Sequence, residues 1–394
     1  MYIHCRRRLK IFYSILLLLC LIAIHKHASN IHQSRRESFD EVKSLISQLF
    51  DSSQSLRDCQ RLWNQLMNIW QEILRQFLDD ACQLCRHQIH FDCRKSVDLS
   101  AYIRYINQSF YPFNESTRPN AMGFNYFAHL PSFHSSNHSL LPTDVTWCDY
   151  FQMIHLLMRV QIILHRMNTR YFLTKGTLIG TLRHHDIIPW DTDIDLFLPN
   201  NAMKILLKNL SSTRQDLVIL RFRNSYGISS YKIFSEHSPR VNGTDYRWPK
   251  IDLFLYQENT THLYAFPKHQ HNLGTMSVIN RTHIEPLHLR LLGPLLVPSP
   301  KQPRKSLKAM VKLGPSNVFD VCEGNRYSSR DNQQWKEPWR VPCKELHSSY
   351  FFVRAQRNST TGLCEEELIS SRQNSSLSYY LYRCDEHLSR SVTE

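Results

Sequence analysis

Glycine is scarce in this chain, 10 residues of 394, and the 17 prolines are no excess. A low-complexity or wholly disordered polypeptide is therefore not expected. No internal repeat runs along it. Beyond residue 30 there is no Arg/Lys run interleaved with aromatics, so nucleic acid is not an expected partner despite a formal net charge of +14. Acidic residues are the minority, 34 against 48 basic ones. Arg6, Arg7, Arg8, Lys10 and Lys26 carry five of the positive charges in a targeting-type N-terminus, leaving about nine on the rest. That surplus favours anionic ligands such as nucleotide diphosphates or acidic glycans. What the chain does have is 42% hydrophobic residues, enough for a sizeable core, and a length that suits one catalytic domain with accessory segments.

The first thirty residues point to a compartment. The basic head precedes the apolar run Ile11 to Ile24, which His25-Lys26-His27 closes. The run is short for a spanning helix and falls in the signal-peptide range. No small-x-small cleavage site follows it, however, and Ala28-Ser29 stands alone. An uncleaved signal anchor over residues 11–27 is the expectation, with snorkelling basic residues at its ends. Residues 1–10 would be cytoplasmic and the remainder would lie in the lumen of the endoplasmic reticulum or Golgi, as in a single-pass type II protein. Sequons at Asn107, Asn114, Asn137, Asn209, Asn242, Asn259, Asn280, Asn358 and Asn374 fit a glycosylated surface, where chance would supply roughly three. Nine cysteines beyond the anchor (Cys59, Cys82, Cys85, Cys93, Cys148, Cys322, Cys343, Cys364 and Cys384) read as disulfides in an oxidising lumen.

Residues 28–147 form the expected luminal stem. Over 40–78, Val42, Ile46, Leu49, Ser53, Leu56, Gln60, Trp63, Met67, Trp70, Leu74 and Phe77 recur at alternating steps of four and three, which predicts a helix. Two readings stand: a stem that forms a homodimer, or an amphipathic helix packed on its own domain. Cys82-x-x-Cys85 with His87, His90 and Cys93 has zinc-ligand spacing, although a disulfide is the commoner outcome in the lumen. Residues 107–145 read as an irregular glycosylated connection. From Cys148 an apolar helix (Phe151 to Met167) precedes a strand (Tyr171–Leu173), a Gly-Thr turn and a short helix (Leu178–Arg183). Then come a strand (Ile194–Leu198), a helix (Ala202–Leu210) and strands at Leu217–Phe222, Ser229–Phe234 and Ile251–Tyr256. That pattern indicates an α+β catalytic domain over 148–315. Residues 316–394 read as a disulfide-tied C-terminal segment.

The chemistry concentrates in YFLTKGTLIGTLRHHDIIPWDTDIDLFLP, Tyr171 to Pro199. Asp193 and Asp195 flank Ile194 on a strand, so alternation puts both carboxylates on one face while Ile194 points into the core. Neighbouring carboxylates repel unless a cation neutralises them, and oxygen ligands of this kind suit Mg²⁺ or Mn²⁺. A bare D-x-D is common on solvated strand ends. Here Gly176-Thr177 stands upstream, where a strand turns into a helix and backbone N–H groups can meet phosphate. Downstream, Asp252 lies within the apolar WPKIDLFLY strand, where it is costly unless paired or metal-bound. Gly-Thr, D-x-D and a later lone Asp are the layout of a polymerase-β-like nucleotidyltransferase.

Lys175–Pro199 together with PKIDLFLY (Pro249–Tyr256) resembles the LicD family, which includes fukutin and fukutin-related protein; the likeness extends loosely to Leu295–Gly314. Thr192 stands where the family often has Asp, and Leu313-Gly314 replaces a usual Tyr-Gly. The resemblance implies a phosphotransferase that moves a phospho-alcohol, such as phosphocholine or ribitol phosphate, from a CDP-linked donor to a glycan or glycoprotein acceptor. By that likeness Asp193 and Asp195 would hold Mg²⁺ or Mn²⁺, and Asp252 would complete the metal site or serve as base toward the acceptor hydroxyl. Gly176 and Thr177 would contact phosphate, with Lys175 and Arg183 as diphosphate partners; an ion pair between Arg183 and Asp191 is the plainer alternative for Arg183. Trp190 would pack to hold the metal strand, with Asp191 behind the ligands. His184 and His185, adjacent before a loop, read as surface residues, with acid–base work the alternative. Two other functions compete. A type II glycosyltransferase would need a nucleotide-binding Rossmann-like half ahead of its D-x-D, and only a helix and one short strand precede it. A catalytically inactive relative acting as a binding protein would not need the full carboxylate set.

Overall fold

The computed structural model describes residues 41–48, 56–85, 98–110, 121–125, 145–212, 216–223, 229–265, 277–310, 320–324, 327–330, 332–334, 340–347, 350–358, 362–370 and 375–383. The expected anchor at 11–27, most of the connection at 107–145 and Leu313-Gly314 lie outside them. Among the described residues no helix is long and apolar enough to cross a membrane.

Four helices come first: α1 (residues 41–48), α2 (Leu56–Leu84), α3 (Leu99–Phe110) and α4 (Trp147–Arg166), with the short strand β1 (Ala121–Asn125) between the last two. Helix α4 is apolar nearly all round, and a helix of that kind must be buried on all sides. Fourteen of its twenty residues are buried. Thr146 and Asp149 close its start as a capping box, Asp149 N–H donating to Thr146 Oγ1 (3.2 Å) and Thr146 N–H to Asp149 Oδ2 (2.9 Å). The predicted seam of α2 faces this helix. Trp63, Met67, Trp70, Leu74 and Phe77 are buried in the same core as Phe151 and Leu157, and the Phe77 ring meets Trp147, Tyr150 and Phe151 at 5.8, 6.4 and 5.4 Å. The heptad spacing thus reports packing onto the chain's own domain. A disulfide between Cys85 and Cys148 ties the end of α2 to the start of α4. Cys82 is also disulfide-bonded, so neither thiol of the Cys82-x-x-Cys85 pair is available to zinc.

The half that carries Asp193 and Asp195 is built on a seven-stranded mixed sheet. Its path is β2 (Phe172–Leu173), β3 (Ile194–Pro199), β6 (Lys250–Glu258), β5 (Ser229–Ser235) and β4 (Leu217–Arg223), extended from β6 by β7 (His262–Ala265) and β8 (Ser277–Asn280). Strands β3 and β6 run parallel and the other pairs are antiparallel. Helix α5 (Lys175–Arg183) precedes β3 and α6 (Ala202–Ser212) follows it. Predicted and observed elements agree closely, with one change. Gly176 and Thr177 lie inside the first turn of α5 rather than in a turn before it. A hairpin of β9 (His288–Leu292) and β10 (Leu295–Ser299) follows the four-residue helix α7 (Arg281–Ile284), and α8 (Pro303–Met310) closes this half.

The C-terminal part is not an appendage. Small hairpins pair β11 (Val321–Glu323) with β14 (Arg340–Pro342) and β12 (Tyr327–Ser328) with β13 (Gln333–Gln334). The Cys322–Cys343 disulfide joins the first of these to a 3₁₀ turn at Cys343–Leu346. Strands β15 (Phe352–Arg357), β16 (Leu363–Ser370) and β17 (Ser375–Arg383) form an antiparallel sheet completed by β1. Tyr379, Tyr380 and Leu381 enter the main core.

At the heart of the molecule the Tyr150 hydroxyl lies 3.0 Å from each carboxylate oxygen of Asp186, and Ile187 N–H donates to Asp186 Oδ1 at 2.8 Å. Gly293 (φ +57°) passes so close that a Cβ there would stand 2.0 Å from the Tyr150 hydroxyl. Burial dominates the Asp186 carboxyl and pushes it up to about 8, the two hydrogen bonds only partly opposing the rise. Between roughly pH 4 and the folded-state value the unfolded chain has lost this proton while the folded chain keeps it, so stability falls as pH rises through that window. Asp186→Asn, an amide of the same shape, removes this dependence. Its melting temperature should gain on the wild type progressively from pH 5 to pH 8. A difference that stays constant across that range would contradict the buried-acid assignment.

Candidate active site

Strand register assembles the site. Asp195 is the direct partner of Asp252 in the β3–β6 pair, and Asp252 is the partner of Lys232 in the β5–β6 pair. One row across the sheet therefore reads Asp195, Asp252, Lys232 on one face. Two residues earlier on each parallel strand, the same face presents Asp193 and Lys250. The opposite face carries Ile194, Leu196, Ile251 and Leu253, all fully buried in the main core. One carboxylate oxygen from each of Asp193, Asp195 and Asp252 comes within 4.8 Å of the other two, a spacing that one divalent ion can bridge.

The lysines answer the charge. Lys250 Nζ donates to Asp193 Oδ2 (2.9 Å) and Asp252 Oδ2 (2.9 Å); Lys232 Nζ donates to Asp252 Oδ1 (2.8 Å) and Oδ2 (3.1 Å). Ser329, from the C-terminal part, donates its hydroxyl to Asp193 Oδ2 at 2.7 Å. Burial works against an ionised Asp193, but Lys250 and then Ser329 outweigh it and hold the carboxyl well below the usual range. Among the described residues no lysine is in hydrogen-bond contact with the Asp195 carboxylate. Burial pushes its carboxyl up to about 7; Lys175 opposes the rise, and the like charges of Asp193 and Asp252 add to it. Complete burial alone would lower the Lys250 ammonium, yet Asp193 and Asp252 carry it above its ordinary value. Lys232 goes the other way, lowered by burial and by Lys250 despite Asp252.

The start of α5 is clamped to this row. Thr177 is fully buried and its Oγ1 accepts from Asp195 N–H at 2.8 Å. Gly176 passes so close to Asp191 that a Cβ would stand 2.6 Å from Asp191 Oδ2, so a larger residue here would displace that carboxylate. Asp191 Oδ1 also accepts from Thr192 N–H at 2.9 Å. Lys175, at φ +47°, lays its ammonium 3.0 Å from the centre of the Phe254 ring, two residues beyond Asp252 on the same face. The N-cap residue Thr174 makes no side-chain cap; its hydroxyl meets Met310 Sδ.

The other predicted residues face the C-terminal part. Arg183 Nη2 donates to the Val321 carbonyl at 2.8 Å, and burial lowers the guanidinium to about 10. Trp190 is buried, donates to the Glu323 carbonyl (3.2 Å) and packs edge-on against Tyr350 (5.3 Å) beside Cys322 and Cys343. The surface reading of His184 and His185 is corrected: both are fully buried. His184 Nδ1 meets the Phe351 carbonyl at 2.7 Å. His185 sits between Ser378 Oγ (2.7 Å) and Glu366 Oε2 (3.3 Å). Thr192, in place of the family's Asp, is held from two sides, its carbonyl by Trp248 Nε1 (2.7 Å) and its hydroxyl by Ser329 N–H (3.1 Å).

Lys232, Lys250 and Ser329 were not singled out from the sequence. Lys250 was within reach, since strand alternation places position 250 on the face of Asp252. Lys232 needs the β5–β6 register, and Ser329 lies 136 residues from its partner.

Residues 168–302 match the family model described as LicD/FKTN/FKRP, nucleotidyltransferase domain. Among curated proteins none matches the chain. Members of the family transfer phosphate-containing groups and typically depend on a metal ion, and three clustered carboxylates are a donor set of the required kind. The match over residues 168–302, the stretch that carries the Asp193, Asp195 and Asp252 cluster, supports membership of the LicD family.

Proposed function

We propose that the chain is a metal-dependent phosphotransferase of the secretory-pathway lumen, moving a phospho-alcohol from a CDP-linked donor to a glycan hydroxyl. The observation that carries this reading is the meeting of Asp193, Asp195 and Asp252 within 4.8 Å at the starting ends of two parallel strands. Hard oxygen donors at that spacing fit Mg²⁺ or Mn²⁺, which would neutralise the donor diphosphate and polarise the phosphorus under attack. Asp193 and Asp195 bind the ion and Asp252 completes the set. Thr177 fixes the Asp195 backbone, and Ser329 fixes the Asp193 carboxylate. Lys175 and the opening N–H groups of α5 form the diphosphate-facing side, where a helix start favours anions. The sheet around these residues suits a polymerase-β-like nucleotidyltransferase core.

Two features support luminal placement. Cys82, Cys85, Cys148, Cys322, Cys343 and Cys364 are all disulfide-bonded, which an oxidising compartment favours. The sequon residues Asn242, Asn259, Asn280 and Asn358 are exposed, as glycan acceptors must be. A signal anchor at residues 11–27 would hold the enzyme in the endoplasmic reticulum or Golgi membrane.

The test is a donor screen on the full chain purified in detergent. Nucleotide-alcohols and nucleotide-sugars are offered with Mn²⁺ or Mg²⁺, and nucleotide release and donor binding are recorded. Chelator-sensitive release from CDP-ribitol or CDP-choline is the expected result. A response confined to UDP- or GDP-sugars would replace this reading by a glycosyltransferase. Absence of binding to every donor would leave an inactive binding protein.

A further inference from the structure

The carboxylate cluster already contains a cation that belongs to the chain. Lys250 Nζ is within 2.9 Å of both Asp193 Oδ2 and Asp252 Oδ2, and its side chain is 1% exposed. A divalent ion taking either oxygen at about 2.1 Å would stand no more than about 5 Å from this ammonium. At that range, in a site shielded from water, the repulsion between the two cations is substantial. Net charge leads to the same conclusion. With Asp193, Asp195 and Asp252 ionised, Lys232 and Lys250 cancel two of the three negative charges. A free metal ion meets a single net negative charge instead of three. Once that ion is bound the site turns positive, and a diphosphate restores the balance.

We infer that Lys250 is a resident counter-ion that couples divalent-ion binding to nucleotide-diphosphate binding. Without nucleotide, Lys250 bridges Asp193 and Asp252 and keeps the metal weakly held. With nucleotide, the ammonium exchanges its carboxylate partners for phosphate oxygens, and the metal takes the vacated carboxylates. Lys232 stays on Asp252 and limits the charge left behind. The inference rests on the metal reading of the site and adds an order of events to it: metal and donor enter as a pair.

The experiment is calorimetric titration of Mn²⁺ into the full chain without nucleotide, for wild type, Lys250→Met and Lys250→Gln. Both variants remove the charge, and Gln keeps hydrogen-bond donors should Met disturb the fold. Each is expected to bind Mn²⁺ alone about tenfold or more tightly than wild type, within the usual range of coupling between sites. Added CDP should tighten Mn²⁺ binding further in wild type than in either variant. A second readout is thermal: the metal-free variants should melt below wild type and recover with Mn²⁺. Equal or weaker Mn²⁺ affinity in the variants, with the metal still binding wild type, would overturn the counter-ion role and leave the metal site standing. Failure of Mn²⁺ to bind any of the three proteins, with or without CDP, would overturn the metal reading and this inference together.

Discussion

Asp193→Asn, Asp195→Asn and Asp252→Asn are each expected to lower metal-dependent turnover at least about a thousandfold while the protein remains folded. The exchange keeps shape and one acceptor oxygen, so what is lost is the charge that holds the ion. The three variants should nevertheless differ in stability before any metal is added, and the signs follow from the neighbours. Asp195 is buried beside two like charges, and burial first, then those charges, raise its carboxyl to about 7. Neutralising it relieves repulsion, so metal-free Asp195→Asn should melt at or above the wild-type temperature. Asp252 accepts from both Lys232 and Lys250. Neutralising it takes the carboxylate from Lys232 and leaves Lys250 with Asp193 alone, and Asp252→Asn should melt lowest of the three. Near-wild-type turnover in any of the three would remove that residue from the metal site; in all three it would end the assignment. Thermal melts in chelator, run beside the activity assays, separate lost chemistry from lost fold.

The second large effect lies outside the site. Arg290, on β9 inside the family domain, is 3% exposed and pairs with Glu366 on β16 of the C-terminal sheet. His185 Nε2 approaches the same carboxylate at 3.3 Å, and the guanidinium lies 4.3 Å from the centre of the Tyr380 ring. Burial opposes the charge on Glu366, but Arg290 and His185 bring its carboxyl down to about 2. Removing one partner of such a pair strands the other charge, and Glu366→Ala should cost about 3–5 kcal/mol of unfolding free energy. Chemical denaturation at neutral pH measures it. The double change Arg290→Met with Glu366→Leu should recover most of that loss, because well-packed apolar groups avoid the desolvation penalty altogether. A Glu366→Ala midpoint equal to wild type would show that the C-terminal sheet is not energetically joined to the catalytic half. The pair bears directly on function, because the same C-terminal part delivers Ser329 to Asp193.

Some of this molecule is decided by local pattern. Phe151 to Met167 is rich enough in apolar residues to read as a core helix, and α4 is that helix. Asp193-Ile194-Asp195 on a strand separates its carboxylates from its core residue by alternation alone, and Ile194 is indeed fully buried. The spacing of Trp63, Met67, Trp70, Leu74 and Phe77 dictates one apolar face, but not what covers it. A four-and-three repeat reads the same whether the partner is another chain or α4, and packing against Phe151 and Trp147 settles where that face lies in the fold.

The rest depends on contacts between residues far apart in the chain. His184 and His185 carry no local mark of burial; β15, β16 and β17 cover them from more than 160 positions away. Parallel pairing of β3 with β6 is a matter of register, and a slip of one residue would turn Asp252 to the apolar face. The same register puts Lys232 beside Asp252, and a disulfide-tied segment beyond the family domain puts Ser329 on Asp193. The sequence by itself determined the three carboxylates, the strands that carry them and the faces they occupy, because alternation is a short-range rule. Only the tertiary structure decided which groups from other elements they meet, because Lys250 reaches Asp193 and Lys232 reaches Asp252 through strand register, and Ser329 reaches Asp193 through long-range packing, none of which a local pattern encodes.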